Sequence, residues 1–391
     1  MMLFDPTAMA TPALPQDPVV IRRIETFIYR VKVDKPVVST LAILGHRTAL
    51  LVRVEDSDGT FGWGEVYATM PTYGAEHRAL TVHKLLAPLL LGHSFHQPAE
   101  CWQMLTEKTH NLAIQTGEAG PISAAIGGLD CALWDLLARR AKLPLCSLLG
   151  SEPKDLSAYA SGLNPADGPQ VVAACRAQGF NAFKQKIGFG QNVDLENLRS
   201  IRADMAEHEA LMVDVNQGWT LEQALDMAPQ LTPFNLSWIE EPLAADRPEA
   251  EWLACQSAFR APLAGGENLR AGDFAAQSPW LGVVQPDVGK WGGISAGWAV
   301  AQATLAQGLR YCPHWLGSGI GLMASAHLLA AVGGDGLLEI DVNENPLREA
   351  LCQPFATLAQ GKFVLTQSAG IGAEPEQKAA VRWLLQHEET T

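Results

Sequence analysis

Seven short apolar stretches of this sequence stop on charged or polar residues, and those residues are the ones that could do chemistry. They include Lys184 and Lys186 in Ala182-Phe-Lys184-Gln-Lys186, and Asp214 and Asn216 in Leu211-Met-Val-Asp214-Val-Asn216. Glu240 and Glu241 follow Trp238-Ile, Glu267 follows Gly265-Gly266, and Asp287 follows Gln285-Pro. His314 follows Cys312-Pro, and Glu339 follows Leu337-Leu. Strand alternation puts Lys184 and Lys186 on one face and Phe183, Gln185 and Ile187 on the other. Phe183 and Ile187 suit a helix-covered face, which turns the lysines inward. Two enclosed ammonium groups repel and burial depresses their pKa values, so such a lysine can serve as a base near neutral pH. The competing reading is a solvated lysine pair at a strand end. Asp214 and Asn216 share an inward face, whereas adjacent Glu240 and Glu241 cannot both point in. Carboxylates from three successive strands repel unless a cation lies between them. A ligand set of oxygens alone favours Mg2+ over Zn2+. The bland alternative is surface acids at loop starts. A carboxylate at Asp287 would orient the His314 imidazole and raise its pKa, making an acid/base pair. His327, in Ser325-Ala-His327-Leu-Leu, reads as a structural helix histidine.

The elements that must position these residues follow from their spacing. The strand ends recur at roughly 20- to 30-residue intervals, with helical patterns between them over Val193–Ala206, Leu221–Leu231 and Gly297–Gly308. Successive βα units with polar strand ends predict a β/α barrel whose site lies at the carboxyl ends of its strands. Before it, Ile21–Val31, Thr48–Val54 and Thr60–Glu65 read as strands, the last two joined at the Asp56-Ser-Asp-Gly59 turn. Gly62 and Gly64 would let another backbone come close. Lys35–Arg47 and Thr69–Ala75 read as loops, and Glu76–Leu91, Pro98–Met104 and Gly120–Ala141 as helices. The domain boundary falls in Ser147–Asp155, where Gly150, Ser151 and Pro153 cluster. The expected organisation is a flexible tail over 1–19, an α+β domain over 20–150 and a barrel over 151–348. A segment over 349–391 would return to the first domain through Gly361–Val364 and a helix at Pro375–Gln386.

Composition narrows the function classes. With 391 residues, 48% of them hydrophobic, the chain can bury two cores. A formal charge of −14 argues against a nucleic-acid partner, while leaving room for an anionic small molecule at a local cluster of cations. Seven cysteines with no Cys-x-x-Cys pair fit reduced thiols and a cytoplasmic location. No apolar run suggests a membrane span.

Taken in order, Lys-x-Lys, Asp-x-Asn, Ile-Glu-Glu-Pro, Gly-Glu-Asn, Pro-Asp-x-x-Lys-x-Gly-Gly and the late His314 resemble the mandelate racemase group of the enolase superfamily. Gly62-Trp-Gly-Glu65 and Asp130-Cys-Ala-Leu-Trp134-Asp135 extend the likeness over nearly the whole chain. The resemblance implies a modified (β/α)7β TIM-type barrel under an α+β N-terminal capping domain that the C-terminal segment completes. It implies Mg2+ held by Asp214, Glu240 and Glu267, and the bases Lys186 and His314, the latter oriented by Asp287. Lys184 would sit by the substrate carboxylate, Glu339 would be a carboxylic acid donating to its other oxygen, and Asn216 would approach the substrate hydroxyl. Trp291 departs from the pattern, which commonly has an aliphatic residue there. Lys290 belongs to the motif and receives no catalytic role. The family also implies a homo-oligomer, often an octamer.

The reaction this implies is removal of the weakly acidic proton α to a carboxylate, through an ene-diolate. Mg2+, Lys184 and Glu339 would surround the charge that appears. Proton return on the other face gives a racemase or epimerase, and loss of the 3-hydroxyl gives a dehydratase. A lactone cycloisomerase shares the site. Among these the favoured expectation is dehydration of an acid sugar, an argument by analogy. Specificity would come from the loops Val37–Arg47 and Thr69–Ala75, with His46, Arg47, Tyr73 and, on the barrel side, Trp315 as substrate contacts.

Overall fold

The structure is a computed structural model, and it describes residues 17–270, 274, 278–356 and 358–391. The tail expected over 1–19 lies outside these up to residue 16; Val19 already begins strand β1 and is fully buried. β1 (Val19–Val38) and β2 (Ile43–Asp56) form a long antiparallel hairpin, and β3 (Phe61–Val66) pairs with β2. The expected loop over Lys35–Arg47 is therefore mostly strand: Val37 pairs with Leu44 and Lys32 with His46, leaving a tip at Ser39–Ala42. Pairing across the hairpin prevails over the weak local alternation. At the other end, Asp56 Oδ1 accepts the Asp58 and Thr60 N–H groups and closes the turn.

A helical stretch from Gly74 to Leu90, π-wound over Thr81–Leu86, begins the helices with α1 (Gly74–Leu80). It is followed by α2 (Pro98–Thr116) and α3 (Ala119–Ala141). α2 runs well past the expected Met104 and stops at Gly117, whose φ of 71° ends it in the left-handed region. α3 lies directly on β3: a Cβ at Gly62 or Gly64 would stand 2.1 Å from Ala132 O or 2.0 Å from Gly128 O. Contrary to expectation, α3 is long and apolar enough to cross a membrane by length and composition. The apolar window is 89% buried inside the protein, between the cap sheet and the barrel, and that burial accounts for its composition.

The second domain is a TIM-type barrel of parallel strands: β4 (Leu156–Leu163), β5 (Ala182–Lys186), β6 (Ala210–Asp214), β7 (Ile239–Glu240), β8 (Leu263–Gly265), β9 (Val283–Val284), β10 (Arg310–Tyr311) and β11 (Leu338–Asp341). β11 pairs parallel with β4, the first strand of the barrel. Among the intervening helices are α4 (Gly293–Ala306) and α5 (Gly319–Val332). Tyr159, Ala182, Met212, Trp238, Ala264, Val283 and Cys312 make a separate apolar cluster, with Leu337 packed against it. These are the floor of the barrel.

The C-terminal segment divides its pairing. Leu358–Ala359 and Lys362–Phe363 form a hairpin that adds to barrel strand β4 through Phe363 and Leu156, so Gly361–Val364 joins the barrel and not the cap. The expected helix over Pro375–Gln386 is reduced to Gln377–Ala380 and a 3-10 turn, after which β12 (Leu384–Thr390) pairs antiparallel with β1. Edge pairing with β1 outweighs the helical pattern. All seven cysteines are free and buried.

Candidate active site

Counting two residues on from each floor position reaches Ser161, Lys184, Asp214, Glu240, Gly266, Gln285, His314 and Glu339. Side chains two apart share a strand face, so all of them stand in one layer above the apolar floor. Lys184 is fully buried, its Nζ 2.6 Å from Glu240 Oε1, 2.7 Å from Glu339 Oε1 and 3.7 Å from Asp214 Oδ2. One layer higher, Lys186 Nζ reaches Asp214 Oδ2 at 2.5 Å and Asn216 Oδ1 at 2.7 Å. Asp287 Oδ2 lies 2.7 Å from His314 Nδ1, and His314 Nε2 lies 3.3 Å from Glu267. Lys186, Asp214, Glu240, Glu267, Asp287, His314 and Glu339 thus come together at one mouth.

Charge sharing in this cluster bears on the expected roles of Lys184 and Glu339. Burial alone would lower the Lys184 pKa, but the carboxylates of Glu240, Glu339 and Asp214 raise it well above the ordinary value, so Lys184 is a fixed cation. Burial would likewise raise Glu339, yet Lys184 and His314 hold it down at about 2. Both Glu339 oxygens accept, from Lys184, from Ser161 Oγ at 2.5 Å and from the Trp315 N–H at 3.1 Å. Burial works against a charged His314, but Glu267, Glu339 and Asp287 push it up to about 10. Glu267 falls well below the carboxylate range, burial being outweighed by His314 and the lysines.

Glu240 and Glu241 are both buried at the mouth, because Glu241 has φ 40° and leaves strand geometry, which removes the constraint of alternation. Glu240, two residues after floor residue Trp238, accepts from Gln285 Nε2 at 2.7 Å as well as from Lys184. Glu241 receives Asn268 Nδ2 on both oxygens, at 2.8 and 3.0 Å. Burial and neighbouring carboxylates push Glu240 up to about 7 and Glu241 up to about 8. Lys290 Nζ completes this side at 2.6 Å from Asn268 Oδ1 and 3.3 Å from Glu267, over the Tyr67 ring. Gln285, Ser161 and Asn268 are site residues that sequence reasoning missed; the two-residue step from the barrel floor would have found the first two.

The proposed substrate contacts fare less well. Asn216 is at the mouth, on Lys186. Arg47 is buried and paired with Asp341. His46 is exposed, on the opposite side of β2 from Arg47, as alternation requires once this segment is a strand. Tyr73 is 74% exposed. The Trp315 indole is buried, donating to Ser318 O at 2.8 Å, so this residue serves the mouth through its backbone N–H.

Whether these residues suit a divalent cation depends on charge and donor type. Among the described residues no three Asp, Glu, His or Cys side chains stand at metal-ligand spacing. Asp214 leans on Lys186, Glu240 on Lys184, and Glu267 on His314 and Lys290. The donor set nevertheless fits a hard cation: six carboxylates, of Asp214, Glu240, Glu241, Glu267, Asp287 and Glu339, face three lysines and one histidine.

An antiparallel cap over a barrel with lysines, carboxylates and a carboxylate-bound histidine on its strand ends defines a class, the enolase superfamily. The chain belongs to its mandelate racemase group: residues 23–150 match the mandelate racemase / muconate lactonizing enzyme N-terminal domain, and residues 169–379 the enolase C-terminal domain-like family. A solved mandelate racemase/muconate lactonizing enzyme from Bordetella bronchiseptica RB50 is 47% identical, with TM-score 0.87, covering 93% of this chain and 99% of that one. The D-galactarolactone cycloisomerase of Agrobacterium fabrum is 28% identical over 378 residues, 92% of this chain and 97% of that one. The L-talarate/galactarate dehydratase of Salmonella typhimurium, solved with Mg and L-lyxarohydroxamate, is 25% identical with TM-score 0.85, covering 96% and 95%. Relatives thus include acid-sugar dehydratases and cycloisomerases, and also racemases or epimerases.

Proposed function

We propose that this protein removes the proton α to the carboxylate of a polyhydroxy acid and dehydrates it to a 2-keto-3-deoxy acid. The observation that carries this reading is that Lys186 on β5 and the Asp287–His314 dyad, which follows β9 and β10, meet at one mouth, with Lys184 and Glu339 in the same layer as His314. Lys186, in its neutral form, takes the α-proton, and the electron pair of the C–H bond moves into the carboxylate. Lys184, buried as a fixed cation, stabilises the second negative charge as it develops. Asp287 holds His314 Nδ1, so Nε2 is the atom offered to the substrate. His314 gives its proton to the 3-hydroxyl as that C–O bond breaks, and the resulting enol rearranges to the ketone. Hydroxide is a poor leaving group, so an acid at this point is needed. With substrates of the opposite α-configuration His314, in its neutral form, is the base. Asp214, Glu240 and Glu267 are the residues that would hold Mg2+, which when bound supplies positive charge beside the substrate carboxylate. On the same family resemblance we propose a homo-oligomer, an octamer, which sedimentation would measure.

The test is a library of acid sugars that includes galactarate and arabinonate, assayed for keto-acid product and, by NMR in deuterated water, for α-proton exchange. Keto acid from at least one member is expected. Deuterium at the α-carbon with inverted configuration and no keto acid would replace dehydration by racemisation. The cycloisomerase relative favours one further arm, in which lactones join the library and ring opening without keto acid decides for that reaction.

A further inference from the structure

We infer that Glu65, a residue of the cap, is a positioning residue for the His314 half of the reaction, acting by fixing the loop 314–318 from outside the barrel. The inference rests on the proposed acid/base role of His314. Glu65 is the penultimate residue of β3 and is buried. Its Oε1 accepts the Ser318 N–H at 2.6 Å, and its Oε2 accepts the Ser318 O–H at 2.6 Å and the Gly321 N–H at 2.9 Å. Ser318 is the N-cap of α5 but makes no side-chain cap bond to its own helix. Glu65 supplies that cap from the other domain, where a carboxylate also meets the positive end of the helix.

The consequences run from this cap to the mouth. Ser318 O receives Trp315 Nε1, and the Trp315 N–H holds Glu339 Oε2. The indole fills a slot between three glycines, where a Cβ at Gly289, Gly317 or Gly321 would come within 2.5, 2.4 or 1.9 Å of it. Gly289 belongs to the Asp287 loop and donates to Asp287 Oδ1 at 2.9 Å. The next cap residues grip the same two loops: Tyr67 N–H donates to Gly289 O at 2.9 Å, and Thr69 Oγ1 to Leu316 O at 3.0 Å. Both members of the Asp287–His314 dyad therefore sit on loops clasped by one cap segment, 65–69. None of these contacts reaches the lysine strand β5. Proton transfer is sensitive to displacements of about an ångström, so loosening the clasp should affect the two faces unequally.

Glu65→Gln keeps the volume but turns an amide NH2 toward a group of donors. The readout is α-proton exchange in deuterated water with C2-epimeric pairs, D-arabinonate with D-ribonate and L-arabinonate with L-ribonate, which differ only at the reacting carbon. Exchange of the epimer dependent on His314 should fall at least about tenfold, and that of the epimer dependent on Lys186 should stay within about twofold. The assignment of each epimer comes from Lys186→Ala and His314→Asn. Asp135→Asn is the control: it removes another buried cap carboxylate, which receives the Trp63 and Ile371 N–H groups and Arg139, and should leave the epimer ratio unchanged. If Glu65→Gln does not fold, Ser318→Ala removes one of the three bonds and should move the ratio in the same direction. An unchanged ratio overturns the inference. If the wild type exchanges none of these acids, the proposed function loses support and the crystal structure of Glu65→Gln decides alone. An intact 2.7 Å His314–Asp287 contact on an unmoved loop would then overturn the inference, and a displaced His314 would support it.

Discussion

At the scale of residues, the mouth divides its charges so that neighbours do different work. Lys184 and Lys186 are two positions apart, yet Lys184 is locked between Glu240 and Glu339 while Lys186 meets Asp214 and Asn216 one layer higher. The lower lysine is enclosed by carboxylates as an electrostatic anchor, and the upper one is the proposed base. Lys186→Ala should stop exchange of one α-configuration, and His314→Asn should stop exchange of the other together with all dehydration. Each loss should be about 10²- to 10⁴-fold in kcat, read by NMR exchange and keto-acid assay. Loss of both configurations in both variants, with the fold intact by circular dichroism, would remove the two-face arrangement. Asp287→Asn keeps the shape of the dyad but weakens its hold on His314 Nδ1. It should lower kcat by about 10²-fold with KM within a few-fold, and an equal loss in kcat and rise in KM would instead make Asp287 a binding residue.

At the scale of elements, the site depends on close approach of backbones. β3 can carry Glu65 to the barrel only because Gly62 and Gly64 allow α3 to lie on it. Gly64→Ala would place a Cβ 2.0 Å from Gly128 O, a backbone atom that cannot swing aside. The expected cost is about 1–3 kcal/mol, measured as a lower urea midpoint at unchanged slope. Gly45→Ala, where a Cβ would meet nothing within 4 Å, should cost far less and marks the difference between crowding and mere loss of glycine. The hairpin tip is a second such dependence: Thr40 Oγ1 donates to Val215 O and Asn216 O, so the tip of the β1–β2 hairpin rests on the loop that carries Asn216.

At the scale of the whole molecule, an acidic chain concentrates carboxylates at one end of its barrel, and a divalent cation bound there should stabilise the fold as well as the reaction. Ligand binding at about a hundred times Kd contributes roughly 2.7 kcal/mol. For a protein of this size that is a rise in Tm of about 3–4 °C. Mg2+ should produce it, EDTA should reverse it and Asp214→Asn should abolish it, read by differential scanning fluorimetry without any substrate. A wild-type Tm indifferent to both would count against the proposed ligand set.

The residues proposed to carry the chemistry were legible from order and spacing, because a strand end in a β/α barrel leaves a short local signature: an apolar run, then a polar residue on the inward face. Lys184, Lys186, Asp214, His314 and Glu339 all announce themselves this way. The family was legible for the same reason. What the sequence could not decide depends on atoms far apart in the chain. The protonation of Lys184 and Glu339 follows from their mutual contact, and local reasoning from burial alone points the wrong way for both. Glu241 turns in because its φ is positive, which no alternation rule foresees. His46, Arg47, Tyr73 and Trp315 lie in or beside loops, where partners such as Asp341 and the Gly289–Gly317–Gly321 slot dictate where a side chain goes. The C-terminal strand forms because β1 offers it an unpaired edge 360 residues earlier, a determinant that exists only once the chain has folded.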